Sequence, residues 1–300
     1  MPLPLSLFHY TTIPGICGII NAKRLWATSI RHLNDATEFT YAHGVLRSTL
    51  ENTTQGAPAD IRAAAEYMVG ALDMSRTSNT MNLVGKFGTT FVVSLSSEPD
   101  RLSQWRAYSP GGGYALGFRV EALHALAEHH GFRLMKCSYD EKQHRQEANA
   151  IAERVLAKFS ELPRDVRAAI EPGGAESPRA TQSRLFSMRR DMLADIQRSA
   201  AVWKHPSFEE EAEWRLISDQ QLDRIVQFRP GRTTIIPYTE LNLMEPAVNQ
   251  ISGMTAVLSN IVVSPCAEPE LAVGSLQYLV ETQRLSCPQI SLSSIPYRHW

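Results

Sequence analysis

The sequence predicts an α+β fold in one domain over residues 1–300: a mixed, largely antiparallel sheet core with a helical insertion. Three observations predict it. Short runs rich in β-branched and aromatic residues stand towards both ends of the chain. Segments with apolar residues at helical spacing separate those runs. Between about 140 and 203 the strand signal disappears and two amphipathic helical stretches remain, which read as an insertion rather than a second domain.

The elements follow in order. Leu5 to Tyr10 reads as a strand, and Pro14 opens a helix through the IPGICGIINAKR stretch, because proline is preorganised for a first helical turn. Leu25 to Ser29 is a second strand. Asn34-Asp35 carries a turn or cap signal ahead of a helix that runs to about Leu50. Ile61 to Met74 is an alanine-rich helix. Phe87 to Ser96 is the clearest strand in the chain. Ser109 to Gly113 is a turn, Tyr114 to Val120 a strand, Glu121 to His130 a short helix, and Arg133 to Tyr139 another strand. Glu141 to Leu162 and Thr181 to Trp203 are the helices of the insertion, joined by a Pro- and Gly-containing loop. Strands return at Glu213 to Ser218, Ile225 to Phe228, Thr233 to Pro237 and Ile261 to Val263. A helix over Pro269 to Leu285 and a short strand over Gln289 to Ser293 close the chain.

Composition narrows the function classes. The chain is 43% hydrophobic and 20% charged, enough apolar content to bury a core. Its net charge of -1 gives no bulk attraction to nucleic acid or anionic membrane. The four cysteines, Cys17, Cys137, Cys266 and Cys287, are too scattered for a zinc site and read as free thiols. The N-terminus lacks the pattern of a signal peptide, and no run approaches the length of a membrane helix, so the expected location is the cytoplasm.

Several motifs carry chemistry. His9 lies between Phe8 and Tyr10 at the end of the first strand; alone, it reads best as a histidine satisfied by backbone. Asp35 and Glu38 sit at a helix start, where capping explains them. Ser94 and Ser96 share one face of a strand because side chains alternate. Trp105, Arg106 and Tyr108 form a cluster that could stack on a flat ring and hold a phosphate. Gly111 to Gly113 lacks the lysine of a phosphate loop. Glu211, Glu213 and Arg215 share one face if their segment is extended, and paired carboxylates suit proton transfer or sugar binding. His124, His129, His130 and His144 have no matching carboxylate or cysteine, so no metal is expected.

Two resemblances rest on these residues. FHYTTIPGICGIINAKRLWATSIRHLNDATEF, VVSLSSEPDRLSQWRAYSPGGGYALGF, WKHPSFEEEAEWRLI and IPYR resemble an uncharacterised bacterial domain-of-unknown-function family of the DUF2971 type. That resemblance implies no settled activity; an association of some relatives with phage defence implies a toxin effector or a partner protein of a defence system. More distantly, His9, Ser94-Leu95-Ser96 and Glu211-Ala212-Glu213 follow the order of the active-site elements of ADP-ribosyltransferase-fold toxins. The His9-Tyr10-Thr11 opening is similar to that of toxins that modify DNA.

The toxin resemblance implies NAD as substrate and cofactor, no metal, and transfer to an unidentified acceptor, nucleic acid or protein. In it Glu213 stabilises the oxocarbenium ion, Glu211 selects the acceptor and His9 holds a ribose. Thr11, Ser94 and Ser96 brace the pocket, Tyr10 or Tyr108 stacks on nicotinamide, and Arg31 or Arg106 pairs with the pyrophosphate. It also leads to the expectation that Glu213→Gln removes activity with little loss of folding. The rival readings are a non-enzymatic sensor or partner-binding subunit using the same cleft, and a hydrolase holding a metal with Glu211, Glu213 and Asp35. The insertion is expected to cap the cleft, with its basic residues forming either solvated helix faces or a phosphate-facing surface.

Overall fold

The computed structural model describes residues 4–33, 36–76, 90–168, 170, 179–219, 225–231, 233–244, 257–285 and 289–297. The Asn34-Asp35 cap, the first residues of the Phe87 to Ser96 strand, most of the loop between the insertion helices and Arg298 fall outside them.

Ten strands form one sheet: β1 (Ser6–Thr12), β2 (Arg24–Ser29), β3 (Phe91–Ser96), β4 (Gly113–Arg119), β5 (Phe132–Lys136), β6 (Glu213–Ser218), β7 (Gln227–Pro230), β8 (Ile235–Asn242), β9 (Leu258–Val263) and β10 (Ile290–Leu292). The order is β10-β9-β4-β1-β3-β2-β8-β7, with β6 on the other flank of β3 and β5 beyond β6. Only β9 and β10 run parallel; the remaining pairs are antiparallel. The fold is therefore α+β with a mixed, largely antiparallel sheet.

The centre of the sheet is branched. Along one flank β3 pairs with β6 from Val92↔Ile217 to Ser96↔Glu213. On the other flank two strands share it: β2 meets the Phe91 end, and β1 meets only Ser96, through Phe8. From that point β1 leaves β3 and pairs along its whole length with β4.

Nine helices are described: α1 (Ile13–Ala22), α2 (Ala36–Thr53), α3 (Ala59–Arg76), α4 (Leu102–Tyr108), α5 (Val120–His130), α6 (Glu141–Ser160), α7 (Arg164–Ala168), α8 (Arg179–Ala200) and α9 (Pro269–Thr282). On one face of the sheet α1, α5 and α9 cover an apolar core that includes Leu7, Val93, Leu116 and Leu216. Full burial of Ile16 and Ile20 from α1 contributes about 1.5–3 kcal/mol each. Thr12 caps α1 by accepting the Gly15 N–H at 3.2 Å.

On the other face α2, α3, α6 and α8 pack together over Val92 and Ile217. The stretch 140–203 thus contributes half of a helical layer whose other half comes from residues 36–76. A third, smaller cluster of Phe8, Tyr10, Trp105, Ala115 and Val262 fills the same face beside it, under α4 and the C-terminal segment.

One local difference from the sequence reading has a physical cause. β8 continues to Asn242 rather than stopping at Pro237. Pro237 lies just past the last β2–β8 pair, Thr28↔Tyr238, and pairs only with Phe228 of β7, so its missing N–H costs no ladder bond on the β2 side. The 109–113 turn behaves as expected: Gly112 has φ 117°, and a side chain at Gly113 would meet the Thr11 carbonyl at 2.3 Å. No helix among the described residues is long and apolar enough to cross a membrane.

Candidate functional site

Where β1 parts from β3 the backbones leave a gap, and a cavity of about 70 Å³ occupies it. It is lined by Phe8, His9 and Tyr10 of β1, Ser94 and Leu95 of β3, Gln104 and Tyr108 of α4, and Glu211 and Glu213. At about 10–15 Å³ of such volume per water, this is room for about five water molecules.

His9 Nδ1 lies 2.9 Å from the Ser94 carbonyl oxygen. A carbonyl can only accept, so Nδ1 carries the proton and Nε2 of the neutral ring is left as an acceptor. Burial lowers the His9 pKa and outweighs the opposing bond to Ser94, which keeps the ring neutral at pH 7. Ser96 is buried; its hydroxyl donates to the Glu211 carbonyl at 2.7 Å and accepts the Glu98 N–H at 3.1 Å. It fastens the acidic segment to β3 instead of facing the cavity.

The acidic segment is not one extended strand. Pro206–Glu211 is a 3-10 turn, capped by His205, whose Nδ1 accepts the Ser207 N–H at 3.2 Å. Ala212 follows in the left-handed region at φ 44°, and β6 begins at Glu213. Glu211 therefore does not share a strand face with Glu213, a correction to the extended reading. Glu213 and Arg215 do share one.

What brings the two glutamates together is Lys204. Its Nζ reaches Glu213 Oε2 at 2.7 Å and Glu211 Oε2 at 2.5 Å. Arg215 holds Glu213 from the other side, Nε to Oε1 at 2.7 Å and Nη2 to Oε2 at 2.9 Å, while its Nη1 donates to the Ala201 carbonyl. Lys204 and Arg215 are 2% exposed, Glu213 4%. Burial raises the Glu213 pKa, but Arg215 and Lys204 overcome it and bring it down to about 2. The side chain of Glu211 is 17% exposed against 5% for Glu213, so Glu211 is the more accessible carboxylate at the cavity. The Tyr108 hydroxyl is pushed up by burial and by the Glu211 and Glu213 charges.

Of the residues singled out from sequence, His9, Tyr10, Ser94, Tyr108, Glu211 and Glu213 meet at this cavity. Four do not line it. Thr11 uses its carbonyl to accept the Ser109 hydroxyl at 3.0 Å, and Ser96 is the buried fastener described above. Arg31 sits in a 3-10 turn after β2. Arg106 stacks over Tyr297 at 4.9 Å. Lys204 and Gln104 are the residues that sequence reading missed. Lys204 sits in the quoted WKHPSFEEE stretch, but nothing in its spacing reveals burial.

The histidine group disperses. His144 is buried between Tyr41, whose hydroxyl lies 3.0 Å from Nδ1, and the Ser138 carbonyl 3.0 Å from Nε2, and it stacks on Trp203. His130 Nε2 accepts the Asn242 N–H. No group of three or more metal-ligating side chains occurs among the described residues. Asp35 lies outside them.

Several basic residues of 140–203 are ion-paired, Arg145 with Glu141 and Arg167 with Asp60 among them. Arg154 and Arg198 meet Asp195, and Lys158 and Arg190 meet Asp191.

Fold and site together define an α+β protein with a small cleft backed by a buried, fully ion-paired carboxylate. Residues 104–216, from Gln104 of the cavity through the glutamates to β6, match the family model described as protein of unknown function (DUF2971), which supports the family resemblance read from the sequence. His9 and Ser94 lie outside the matched stretch. No curated protein and no solved structure matches the chain.

Proposed function

We propose that this chain is an NAD-consuming enzyme of the ADP-ribosyltransferase or NAD glycohydrolase kind, with its site in the cleft between β1 and β3. One observation supports the reading: His9, Ser94, Glu211 and Glu213, in the order of the toxin elements and on separate parts of the fold, line one cavity. The cavity offers aromatic rings and a partly exposed carboxylate, a surface suited to the cationic pyridinium ring of NAD. The bond from ribose C1′ to the nicotinamide nitrogen breaks, and its electron pair neutralises the ring. The oxocarbenium ion left on the ribose is captured by water or another nucleophile, which then loses a proton. A carboxylate beside the ribose stabilises that ion.

The geometry shifts the roles. Glu213 has both oxygens engaged by Arg215 and Lys204, so in this reading Glu211 faces the ribose and Glu213 holds the lysine that positions it. The neutral His9 ring accepts a ribose hydroxyl at Nε2. The cavity is smaller than a nicotinamide riboside, so its walls part on entry.

Incubation with NAD and measurement of released nicotinamide tests the reading. Release by the parent, reduced about a hundredfold or more in Glu211→Gln, is expected. No release by the parent, or equal release by both proteins, overturns it. The saturation of Glu213 favours a second reading, a binding module without turnover, for which nicotinamide binds and NAD stays intact.

A further inference from the structure

The wall of the cavity formed by α4 is held from behind by the far end of the chain. Asp100, between β3 and α4, takes four donors on its two oxygens. Oδ1 accepts the Trp105 indole N–H at 2.7 Å and the Ser293 hydroxyl at 2.6 Å; Oδ2 accepts the Ser294 N–H at 2.7 Å and its hydroxyl at 3.0 Å. One carboxylate thus ties α4 to a segment 193 residues away.

The segment continues across the same helix. Ser293 donates its N–H to the Val263 carbonyl at 2.8 Å, which aligns the chain along β9. Ile295 packs against the cluster containing Phe8, Tyr10 and Trp105, and Tyr297 lies under Arg106. Phe8, Tyr10 and Tyr108 have the cavity on one side and belong to this cluster on the other.

α4 has little to hold it by itself. It is seven residues long, too short to persist alone, and its N-cap, Arg101, makes no side-chain capping bond. The Trp105–Asp100 bond ties the helix to the residue just ahead of its N-cap, and Asp100 is itself fixed by the C-terminal segment.

We propose that Asp100 is a positioning residue for the cavity: by clamping residues 293–297 to α4 it sets where Gln104 and Tyr108 stand. Letting the clamp go frees α4 to swing and widens the cleft. The part that concerns NAD rests on the function proposed above; the clamp itself does not.

The test is hydrogen exchange read by mass spectrometry on the full chain. Asp100→Ala should raise exchange of the 102–108 amides about tenfold or more, because it deletes charge-assisted bonds, while α8 in the neighbouring helical layer keeps its parental rate. Asp100→Asn retains an acceptor oxygen and should recover part of the protection. Ser294→Ala, on an exposed side chain, removes one bond of four without threatening the fold and should give a rise of about twofold to fivefold at the same peptides. Unchanged exchange at 102–108 in all three variants overturns the proposal. So does a rise of equal factor in 102–108 and in α8, which marks general destabilisation. A parent protein that releases no nicotinamide defeats the function proposed above and leaves the exchange result to decide the clamp. If the parent turns NAD over, the clamp variants should change KM more than kcat.

Discussion

Behind the cleft, Lys204, Glu211, Glu213 and Arg215 form a chain of opposite charges, with side chains between 2% and 17% exposed. On the helical layer, Arg154, Lys158, Arg190 and Arg198 share Asp191 and Asp195, with the cations 50–55% exposed. The inner set makes three pairs at 2.5–2.7 Å and the outer set four, three of them at 3.0–3.6 Å, and their physical situations differ. The exposed groups are screened by water and hold flexible side chains in place at an entropy cost, so each pair stabilises by about 0–1 kcal/mol. The buried groups have lost their hydration, and removing one partner strands another charge in a poor solvent. The difference teaches that the inner set is a single unit whose members cannot be changed singly, whereas the outer set is a collection of independent contacts.

Breaking the inner set is the largest expected effect. Glu213→Gln should lower the unfolding free energy by about 3–5 kcal/mol in urea titration, since Lys204 and Arg215 lose their common partner. The burial of Glu213 between Lys204 and Arg215 thus replaces the expectation from sequence, little loss of folding, with a large one. A loss below about 1 kcal/mol would place the buried set on the same footing as the surface one and erase the comparison.

Acid sharpens the comparison. The folded pKa of Glu213, about 2, lies below its ordinary 4.5, so the unfolded chain binds the proton first. The stability contributed by this group is complete above pH 4.5 and is lost as pH falls towards 2. Urea titrations across that window should show stability falling in the parent, with a shallower slope in Glu213→Gln; equal slopes would refute the assignment.

His144 gives a neutral buried counterpart. Burial holds its pKa below the ordinary 6.5, against the opposing effects of Ser138 and nearby acids. The unfolded chain again takes the proton first, so the stability from this ring is full above pH 6.5 and declines as pH drops through the folded value. His144→Gln should flatten the decline just below pH 6.5 and leave the more acidic Glu213 region unaltered. A parental slope in the variant just below pH 6.5 would show that the ring does not contribute.

The smallest effect belongs to the surface. Asp195→Asn removes the partner of both Arg154 and Arg198, yet should cost no more than about 1 kcal/mol, and less in high salt. A cost near that of Glu213→Gln would mean that the helical layer depends on its ion pairs after all.

Sequence reading reached the strands and helices with strong periodicity and also brought His9, Ser94, Tyr108 and the two glutamates into one hypothesis. It did so because strand alternation and chain order are local properties. It did not reach the partition of charge. The residues of the WKHPSFEEEAEWR stretch were visible, but with the left-handed turn at Ala212 Glu213 is the sealed carboxylate and Glu211 the more accessible one at the cavity. Lys204 looked like any polar residue at a helix end. The basic stretch 140–203 left solvated helix faces and a phosphate surface both open; Asp191 and Asp195 each take one cation from α8 itself and one across the α6–α8 packing, and chain order does not show the second kind of pair. The clamp proposed at Asp100 was equally hidden, because Ser293 and Ser294 are 193 and 194 residues away.

The route of the chain through its sheet also governs when the protein can assemble. β2 is flanked by β8, and Arg24 pairs with Glu240 across 216 residues. β4 is flanked by β9, and the last strand, β10, adds beyond it. During synthesis the amino-terminal strands therefore emerge long before the neighbours that complete them, with apolar edges still open. Local helices such as α6 and α8 have their partners early, but the sheet can close only after residue 242 and its far end only after residue 292. High sequence separation of this kind makes folding slow, and nascent chains stalled before β8, β9 and β10 have emerged are the species most exposed to aggregation.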